Sequence, residues 1–427
     1  MKGKKIVKII IRFVILIIPI FWSGMDTSAN SAATDPLIGR WERSSGGNEG
    51  MVISIKKDKD SYHAVLLKTP NLNFKVGDLK WKSLKKNLDG SYKAKDLYVY
   101  NNKKTPSIYV DINLTLDDKT LIVKSTYPTG VKATSGEKQT WKKLGNTFDV
   151  TIDAWPIENT RTSFGYMPVG NYKIDHAQYT KIFGKLDKET LKKIDKRQNK
   201  WKGNCFGMAI TAMLFHQGKI SLPNVEILSK DGYSKMQIAA ADWSKKEAML
   251  KKNSELAKII QRYQIYGDLA DYYESYRDYV KVLNEWDNEE PLLVEVLWFD
   301  ENGHSQGHAM VTDTSKPIEI TDDGYERIYL YDPNYPYYVN LKNDKLTDVY
   351  KDSTERFIDI HRENRSWRIN VQLNGASHAY TVSESSVTIG KKIHNNKTGL
   401  ILSTLDDLNI PTSFNGTAEI DLSKLNK

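Results

Sequence analysis

The 427-residue chain contains a single cysteine, Cys205. One cysteine excludes an internal disulfide, and it excludes iron–sulfur or structural zinc sites built on several thiolates. Histidine is also scarce, with eight residues. His304 and His308 are four residues apart, but the glycines and the strand pattern around them do not fit the helical two-histidine zinc motif. The sequence therefore calls for no metal and no cofactor.

Long apolar runs are absent after the N-terminus. Residues 13–22 form an uncharged apolar run, which follows a lysine-rich start and precedes small residues at 28–33. This is the arrangement of a secretory signal, and the run is too short to span a bilayer unaided. We expect residues 1–33 to be a signal peptide and the protein to be secreted or cell-surface associated. The alternative is an uncleaved N-terminal anchor.

Export changes the interpretation of Cys205. On residue type alone, a buried structural cysteine is as good an interpretation as a reactive one. A lone thiol in an oxidising compartment is a liability unless it is used. The combination favours a functional role for Cys205.

Charge of one sign does not dominate the chain. Lysine and arginine number 62 against 53 acidic residues, for a net charge of +9. No basic stretch carries a nucleic-acid recognition motif, so we expect no nucleic acid partner. The excess positive charge suits contact with anionic cell-wall or membrane polymers. The length predicts two globular domains.

Residues 36–145 predict an all-β domain. The eight candidate strands are 40–42, 51–57, 61–68, 74–82, 91–100, 107–116, 120–126 and 139–144. Turns such as Asp89-Gly90 separate them at the spacing of an antiparallel meander, which predicts a small up-and-down barrel. The opening strand, Gly39-Arg40-Trp41, resembles that of lipocalin-like barrels. That resemblance implies a small hydrophobic ligand or a cell-surface component as a partner, although we expect Trp41 and Trp81 to be core residues.

The remainder predicts a second domain of a different class. Residues 146–187 have mixed composition and are interpreted as a connecting segment, with an inhibitory propeptide as an open alternative. From residue 188 the pattern is helical at 188–199, 246–267 and 269–286, and strands follow at 291–299, 308–312, 327–331 and beyond 365. Helices followed by an antiparallel sheet are typical of an α+β domain, here 188–427 with a β-rich C-terminal extension.

The segment 203–209 holds the cysteine between two glycines. Apolar residues recur after it at three- and four-residue steps, which predicts a helix that ends near Gly218. The thiol would then lie at a helix N-terminus. Unpaired N–H groups and the positive end of the helix dipole favour a thiolate there.

A thiol nucleophile needs a base and a group that orients the base. His308 lies at the start of an apolar strand, and the strand 327–331 ends in Asp332-Pro333-Asn334. If the two strands are neighbours in a hairpin, either Asp332 or Asn334 lies beside His308. Asp332 is the better candidate because a carboxylate accepts the imidazole N–H; Asn334 is the alternative.

These motifs, in this order, resemble papain-like cysteine peptidases, and they are most similar to bacterial secreted, double-glycine-peptidase-like members. The similarity covers residues 185–370. It implies that Cys205 is the nucleophile, His308 the general base and acid, and Asp332 the orienting residue. It also implies an amide upstream that donates to the oxyanion, for which Gln198 is chosen and Asn199 is the alternative. Phe206 stands where the family usually has tryptophan.

The resemblance implies a secreted cysteine peptidase that hydrolyses amide bonds through a thioester acyl-enzyme. Its substrate would be a protein, a peptide or a cell-wall peptide. One alternative is a cysteine-type acyltransferase or amidase acting on cell-wall peptides. Another is a catalytically inactive ligand-binding protein, against which the intact set of catalytic residue types argues.

Overall fold

The computed structural model describes residues 35–58, 61–71, 73–74, 77–100, 106–126, 138–145, 147–155, 157–166, 172–198, 203–220, 227–229, 248–250, 254–270, 277–299, 305–335, 337–340, 345–348, 356–371, 380–389, 392–394 and 398–421. The expected signal peptide, Asn199 and His304 lie outside the described residues. The chain divides into two compact units, Met1–Pro36 and Leu37–Lys427. None of the described helices is long and apolar enough to cross a bilayer.

Eight antiparallel strands form a closed barrel at the start of the second unit. They are β1 (Gly39–Ser45), β2 (Val52–Asp58), β3 (Ser61–Lys68), β4 (Leu79–Lys86), β5 (Tyr92–Tyr98), β6 (Ile108–Asp117), β7 (Thr120–Thr126) and β8 (Lys138–Lys143). Each strand pairs with the next, and β1 pairs with β8 to close the sheet. The predicted eight-stranded barrel is confirmed.

The barrel interior is filled by aromatic side chains. Trp41, Trp81 and Trp141 are fully buried. The rings of Trp81 and Trp141 meet edge to face, with centroids 5.2 Å apart, a geometry that aromatic pairs favour. The expectation that Trp41 and Trp81 are core residues is confirmed.

Strand β4 begins five residues later than predicted. Phe74 lies instead in a turn, where its N–H donates to the carbonyl of Asn71. The strand then extends to Lys86 through an irregularity in its pairing with β5, and Ser83 there has a φ of 55°. Such bulges change the register locally and are hard to read from alternation alone.

Seven helices are described after the barrel. They are α1 (Val150–Asp153), α2 (His176–Phe183), α3 (Lys188–Gln198), α4 (Cys205–His216), α5 (Glu255–Leu269), α6 (Tyr279–Glu285) and α7 (Leu405–Leu408). The helix predicted after the cysteine is confirmed as α4. Almost every residue of its first three turns is buried, so α4 is a central helix of this region rather than a surface one.

Two of the predicted helices are shorter in the structure. The predicted helix 246–267 becomes α5, which begins only at Glu255, where the Ser254 side chain caps its N-terminus. Residues just before it form a strand that pairs with another short strand, so tertiary pairing overrides a helical pattern. Among the described residues of the predicted helix 269–286, Tyr279–Glu285 form a helix, α6, whose N-terminus is capped by the Asp278 carboxylate.

The later strands form one large antiparallel sheet and two small ones. They are β9 (Ile227–Ser229), β10 (Ala248–Leu250), β11 (Leu293–Phe299), β12 (Ser305–Thr312), β13 (Glu319–Ile320), β14 (Glu326–Tyr331), β15 (Tyr337–Asn340), β16 (Lys345–Asp348), β17 (Phe357–His361), β18 (Ser366–Val371), β19 (Tyr380–Ser383), β20 (Val387–Ile389), β21 (Lys392–His394) and β22 (Gly399–Ser403). The large sheet has the order β21-β20-β19-β18-β17-β14-β12-β11-β22, with β13 beside β14. β9 pairs with β10, and β15 with β16.

The segment 146–187 contributes to the core around α4. Phe148, Trp155, Phe164 and Tyr179 are buried in one apolar cluster with residues of α4 and α5. The indole N–H of Trp155 donates to the hydroxyl of Thr211 on α4 at 2.9 Å. Removing this segment would therefore expose the core, which makes it a structural part of the unit.

A buried ionic cluster joins the barrel to α4. Arg40 of β1 donates to Asp153 of α1 at 2.7 Å and also to the carbonyl of Thr147. Oδ2 of Asp153, which Arg40 also contacts, lies 3.1 Å from Nδ1 of His216, at the C-terminal end of α4. All three side chains are buried. The cluster fixes the outer wall of the barrel against the helix that begins with Cys205.

Gly207 sets the distance between α4 and α5. A Cβ added there would lie 2.1 Å from the carbonyl oxygen of Ile260 on α5. We expect Gly207→Ala to force the two helices apart and to lower the free energy of unfolding by about 1–3 kcal/mol, as overpacking does. Chemical denaturation measures the loss. Gly145→Ala is the control, because its added Cβ would approach no atom closer than 3.9 Å; equal stability losses in the two variants would contradict this account.

Candidate active site

Cys205 is the first residue of α4 and is partly exposed. Gly203 precedes it with a φ of 93°, a conformation that glycine adopts without strain. A Cβ at Gly203 would lie 3.0 Å from the amide nitrogen of Asn159. The local sequence thus turns the chain sharply and leaves room for a neighbouring side chain directly before the nucleophile candidate.

Strand pairing brings the two other candidates together. β12 and β14 are antiparallel neighbours, with Val311 opposite Tyr331 and Thr312 opposite Leu330. Extending this register past the end of β14 places Asp332 opposite Met310, so its side chain is on the same face of the sheet as His308 and diagonal to it. The predicted adjacency of the two strands is confirmed, although β12 begins at Ser305 and His308 therefore lies within the strand.

The His308 imidazole has partners on both sides. Its Nε2 lies 2.7 Å from Oδ1 of Asp332, and both side chains are almost completely buried. The Cys205 side chain is the other group that acts on the imidazole, and its interaction raises the pKa of His308. Since Nε2 lies against the carboxylate, Nδ1 is the nitrogen left to face the thiol. This is the order that a thiol nucleophile, its base and an orienting acceptor require.

The electrostatics of this group favour a protonated imidazole. Burial alone lowers the pKa of His308, because it penalises the charged form. The charge of Asp332, its hydrogen bond and the interaction with Cys205 outweigh burial and raise the pKa of His308 to about 10. An imidazolium held between a carboxylate and a sulfur is the partner that a thiolate requires.

Asn334 is close to the group but has different partners. Its backbone N–H donates to Oδ1 of Asp332 at 2.8 Å. Its side-chain oxygen accepts a hydrogen bond of 3.0 Å from Nδ2 of Asn159. Of the two orienting candidates, Asp332 is the one that the structure bonds to the His308 ring.

Gln198 is placed at the end of α3 and is buried. Its Nε2 donates to Asp268 of α5 at 3.2 Å. Among the described residues, no other hydrogen bond of the Gln198 side chain is found, and none joins it to Cys205, His308 or Asp332. An amide nitrogen carries a second proton, so donation to an oxyanion by Gln198 stays a prediction.

Several residues near the site have no signature in the sequence. Gln264 of α5 accepts the N–H of Gly207, in the first turn of α4, at 3.1 Å and donates to Asp268 at 3.2 Å. Asp268 therefore links Gln198, through Gln264, to the start of the nucleophile helix. Asn159 is the other such residue. Its contacts are with residues 45 and 175 positions away, so no local pattern marks it.

The described residues hold no cluster of histidine, cysteine, aspartate and glutamate that could bind a metal ion. The chemistry that the arrangement can support is nucleophilic attack by sulfur with proton transfer through His308. No protein-family model, curated protein or solved structure matches the chain. This interpretation therefore rests on the residues and their geometry.

Proposed function

We propose that the protein is a secreted cysteine peptidase that hydrolyses amide bonds with Cys205, His308 and Asp332. The observation that carries the proposal is the buried His308 imidazole, which lies 2.7 Å from Asp332 and whose pKa is raised by both Asp332 and Cys205. On this proposal, the region after the barrel is a papain-like α+β domain, and the barrel is a lipocalin-like accessory domain.

The proposed reaction begins with the Cys205 thiolate and the His308 imidazolium. Sulfur attacks the substrate carbonyl carbon, and the negative charge moves to the carbonyl oxygen. The backbone N–H of Cys205 and a side-chain amide, with Gln198 as the candidate, stabilise that oxyanion. The C–N bond then breaks, His308 donates its proton to the leaving amine, and a thioester remains on Cys205.

Deacylation reverses the roles of the same groups. Neutral His308 takes a proton from a water molecule, and the resulting hydroxide attacks the thioester carbon. The C–S bond breaks, the carboxylic acid leaves, and the thiolate and the imidazolium are restored. Asp332 keeps its hydrogen bond to Nε2 throughout, which holds the ring with Nδ1 toward sulfur and stabilises the imidazolium.

The substrate class proposed is a protein, a peptide or a cell-wall peptide. The net charge of +9 favours a location near anionic polymers of the cell surface. The test is incubation of the purified protein with an unfolded protein and, separately, with cell-wall peptides, followed by mass spectrometry of new amino termini. Cleavage that disappears in Cys205→Ala supports the proposal. No cleavage of either material, or cleavage that persists without the thiol, would overturn it.

A further inference from the structure

Asn159 lies in the segment 146–187 and is buried, with 3% of its surface exposed. Its side chain makes two hydrogen bonds in opposite directions. Oδ1 accepts the backbone N–H of Asn204, the residue before Cys205, at 2.6 Å. Nδ2 donates to Oδ1 of Asn334 at 3.0 Å. One amide therefore connects the start of the nucleophile helix with the loop that follows the orienting carboxylate.

The backbone of Asn159 strengthens the second connection. Its N–H donates to the carbonyl of Pro333 at 3.0 Å. Asn334 in turn donates its own N–H to Oδ1 of Asp332, the oxygen that lies beside the His308 ring. At least three hydrogen bonds thus fix Asn159, and it is connected to the carboxylate through one intervening residue.

The sequence around Cys205 is adapted to this contact. The Cβ of any larger residue at Gly203 would approach Nδ2 of Asn159 to 3.0 Å, and a φ of 93° excludes most side chains from that position. Gly203, two residues before the cysteine, therefore makes room for Asn159. If Asn159 only packed against more distant residues, a glycine at position 203 would not be required.

We infer that Asn159 is a positioning residue for the proposed reaction: it holds the Cys205 end of α4 and the Asp332 loop at a fixed separation. The inference rests on the proposed function. Nucleophile and base come from elements far apart in the chain, α4 and β12. A catalytic pair loses about 100-fold in rate when it is misplaced by roughly 1 Å, so a direct connection between the two elements has a strong effect.

The experiment measures the second-order rate constant for alkylation of the full chain by iodoacetamide over a range of pH. Cys205 is the only thiol, so the rate reports on this residue alone. We expect Asn159→Ala to lower the rate constant about 10–100-fold, as loss of an outer supporting contact does. We also expect the loss to be largest at mildly acidic pH, where a thiol without a well-placed imidazolium partner is mostly protonated and unreactive.

Tyr166→Phe is the matched control. Tyr166 lies in the same segment, is buried, and accepts a hydrogen bond of 2.8 Å from Gln261. The substitution removes the buried hydrogen bond from Gln261, which is not part of the group formed by Cys205, His308 and Asp332. The control is expected to lose comparable thermal stability and to keep the alkylation rate and the pH profile. Equal effects of the two variants would overturn the inference, as would a wild-type rate and profile in Asn159→Ala.

Two further variants serve if Asn159→Ala does not fold. Asn159→Asp keeps the oxygen that accepts from Asn204 but cannot donate to Asn334, and Asn334→Ala removes the acceptor of that hydrogen bond. Both are expected to lower the alkylation rate constant, and a wild-type rate constant in both would overturn the inference. A slowly reacting thiol in the wild-type protein would instead count against the proposed function itself.

Discussion

Asp332→Asn is expected to lower kcat/KM by roughly 100- to 10,000-fold, the range for loss of a group that supports a general acid–base residue. The carboxylate holds Nε2 of His308 at 2.7 Å, so it fixes the ring with Nδ1 available to sulfur. An asparagine keeps the size but removes the charge, and it can present either an oxygen or an NH₂ group to the ring. The peptide hydrolysis assay measures the loss.

The same variant is expected to move the alkaline limit of activity to lower pH. The imidazolium form exists below the pKa of His308, which Asp332 and Cys205 raise to about 10 against the opposing effect of burial. Wild-type activity is therefore lost as pH rises toward that value. Without the carboxylate charge, the limit should fall by about 1–3 pH units, the usual effect of an adjacent opposite charge.

Asp359→Asn is the matched control for that result. Asp359 is a buried carboxylate in β17, paired with Arg327 and Arg368. Its loss should lower stability and leave the alkaline limit in place. An unchanged limit and rate in Asp332→Asn would contradict the assignment of Asp332, and the same shift in Asp359→Asn would indicate a general effect of loosening the sheet.

Asp153→Ala is expected to lower the free energy of unfolding by about 3–5 kcal/mol, because removing one member of a buried ion pair leaves an uncompensated charge. Arg40 would lose its carboxylate partner at the buried contact between the barrel and α1. His216 would lose the same partner at the end of α4. Denaturant titration of the wild-type and variant proteins measures the difference.

The pH dependence of this contribution has a definite sign. Burial raises the pKa of Asp153, but the hydrogen bond from His216 and the charge of Arg40 outweigh it and hold the pKa below its ordinary value of 3.8. The stabilisation is therefore complete above about pH 4 and is lost as pH falls through the lowered pKa. The difference between wild type and Asp153→Ala should narrow in acid.

The double variant Arg40→Met/Asp153→Leu tests the mechanism. Replacing both charges with apolar side chains leaves no uncompensated Arg40 charge, so it should be less destabilising than Asp153→Ala alone. A stability for Asp153→Ala within about 1 kcal/mol of wild type would contradict the account, since that is the range of exposed ion pairs. A double variant less stable than the single one would contradict it too.

The barrel was predictable because strand patterns are local. Alternation in stretches such as Ile108–Asp117 and the short turns between strands determine both the strand count and the order of pairing. The start of β4 was not predictable from the sequence, because Phe74 has the apolar character of a strand residue while its backbone forms a turn. The helix pattern before Ser254 failed for a related reason, since a distant strand pairs with it.

The candidate site was predictable only in part. Cys205, His308 and Asp332 each follow a recognisable local pattern, and strand order accounts for the meeting of the last two. The contact of Gln198 with Asp268 depends on how α3 packs against α5, which no single stretch of sequence encodes. Asn159 was missed for the same reason.

Labelling with an irreversible epoxide inhibitor of papain-like enzymes tests most directly whether His308 activates Cys205. The folded wild-type protein and His308→Ala are treated in parallel, and the labelled residue is identified by peptide mass spectrometry. The account predicts a stoichiometric mass gain at Cys205 in the wild-type protein and none in the variant. An unlabelled wild-type protein, or equal labelling of both, would contradict it.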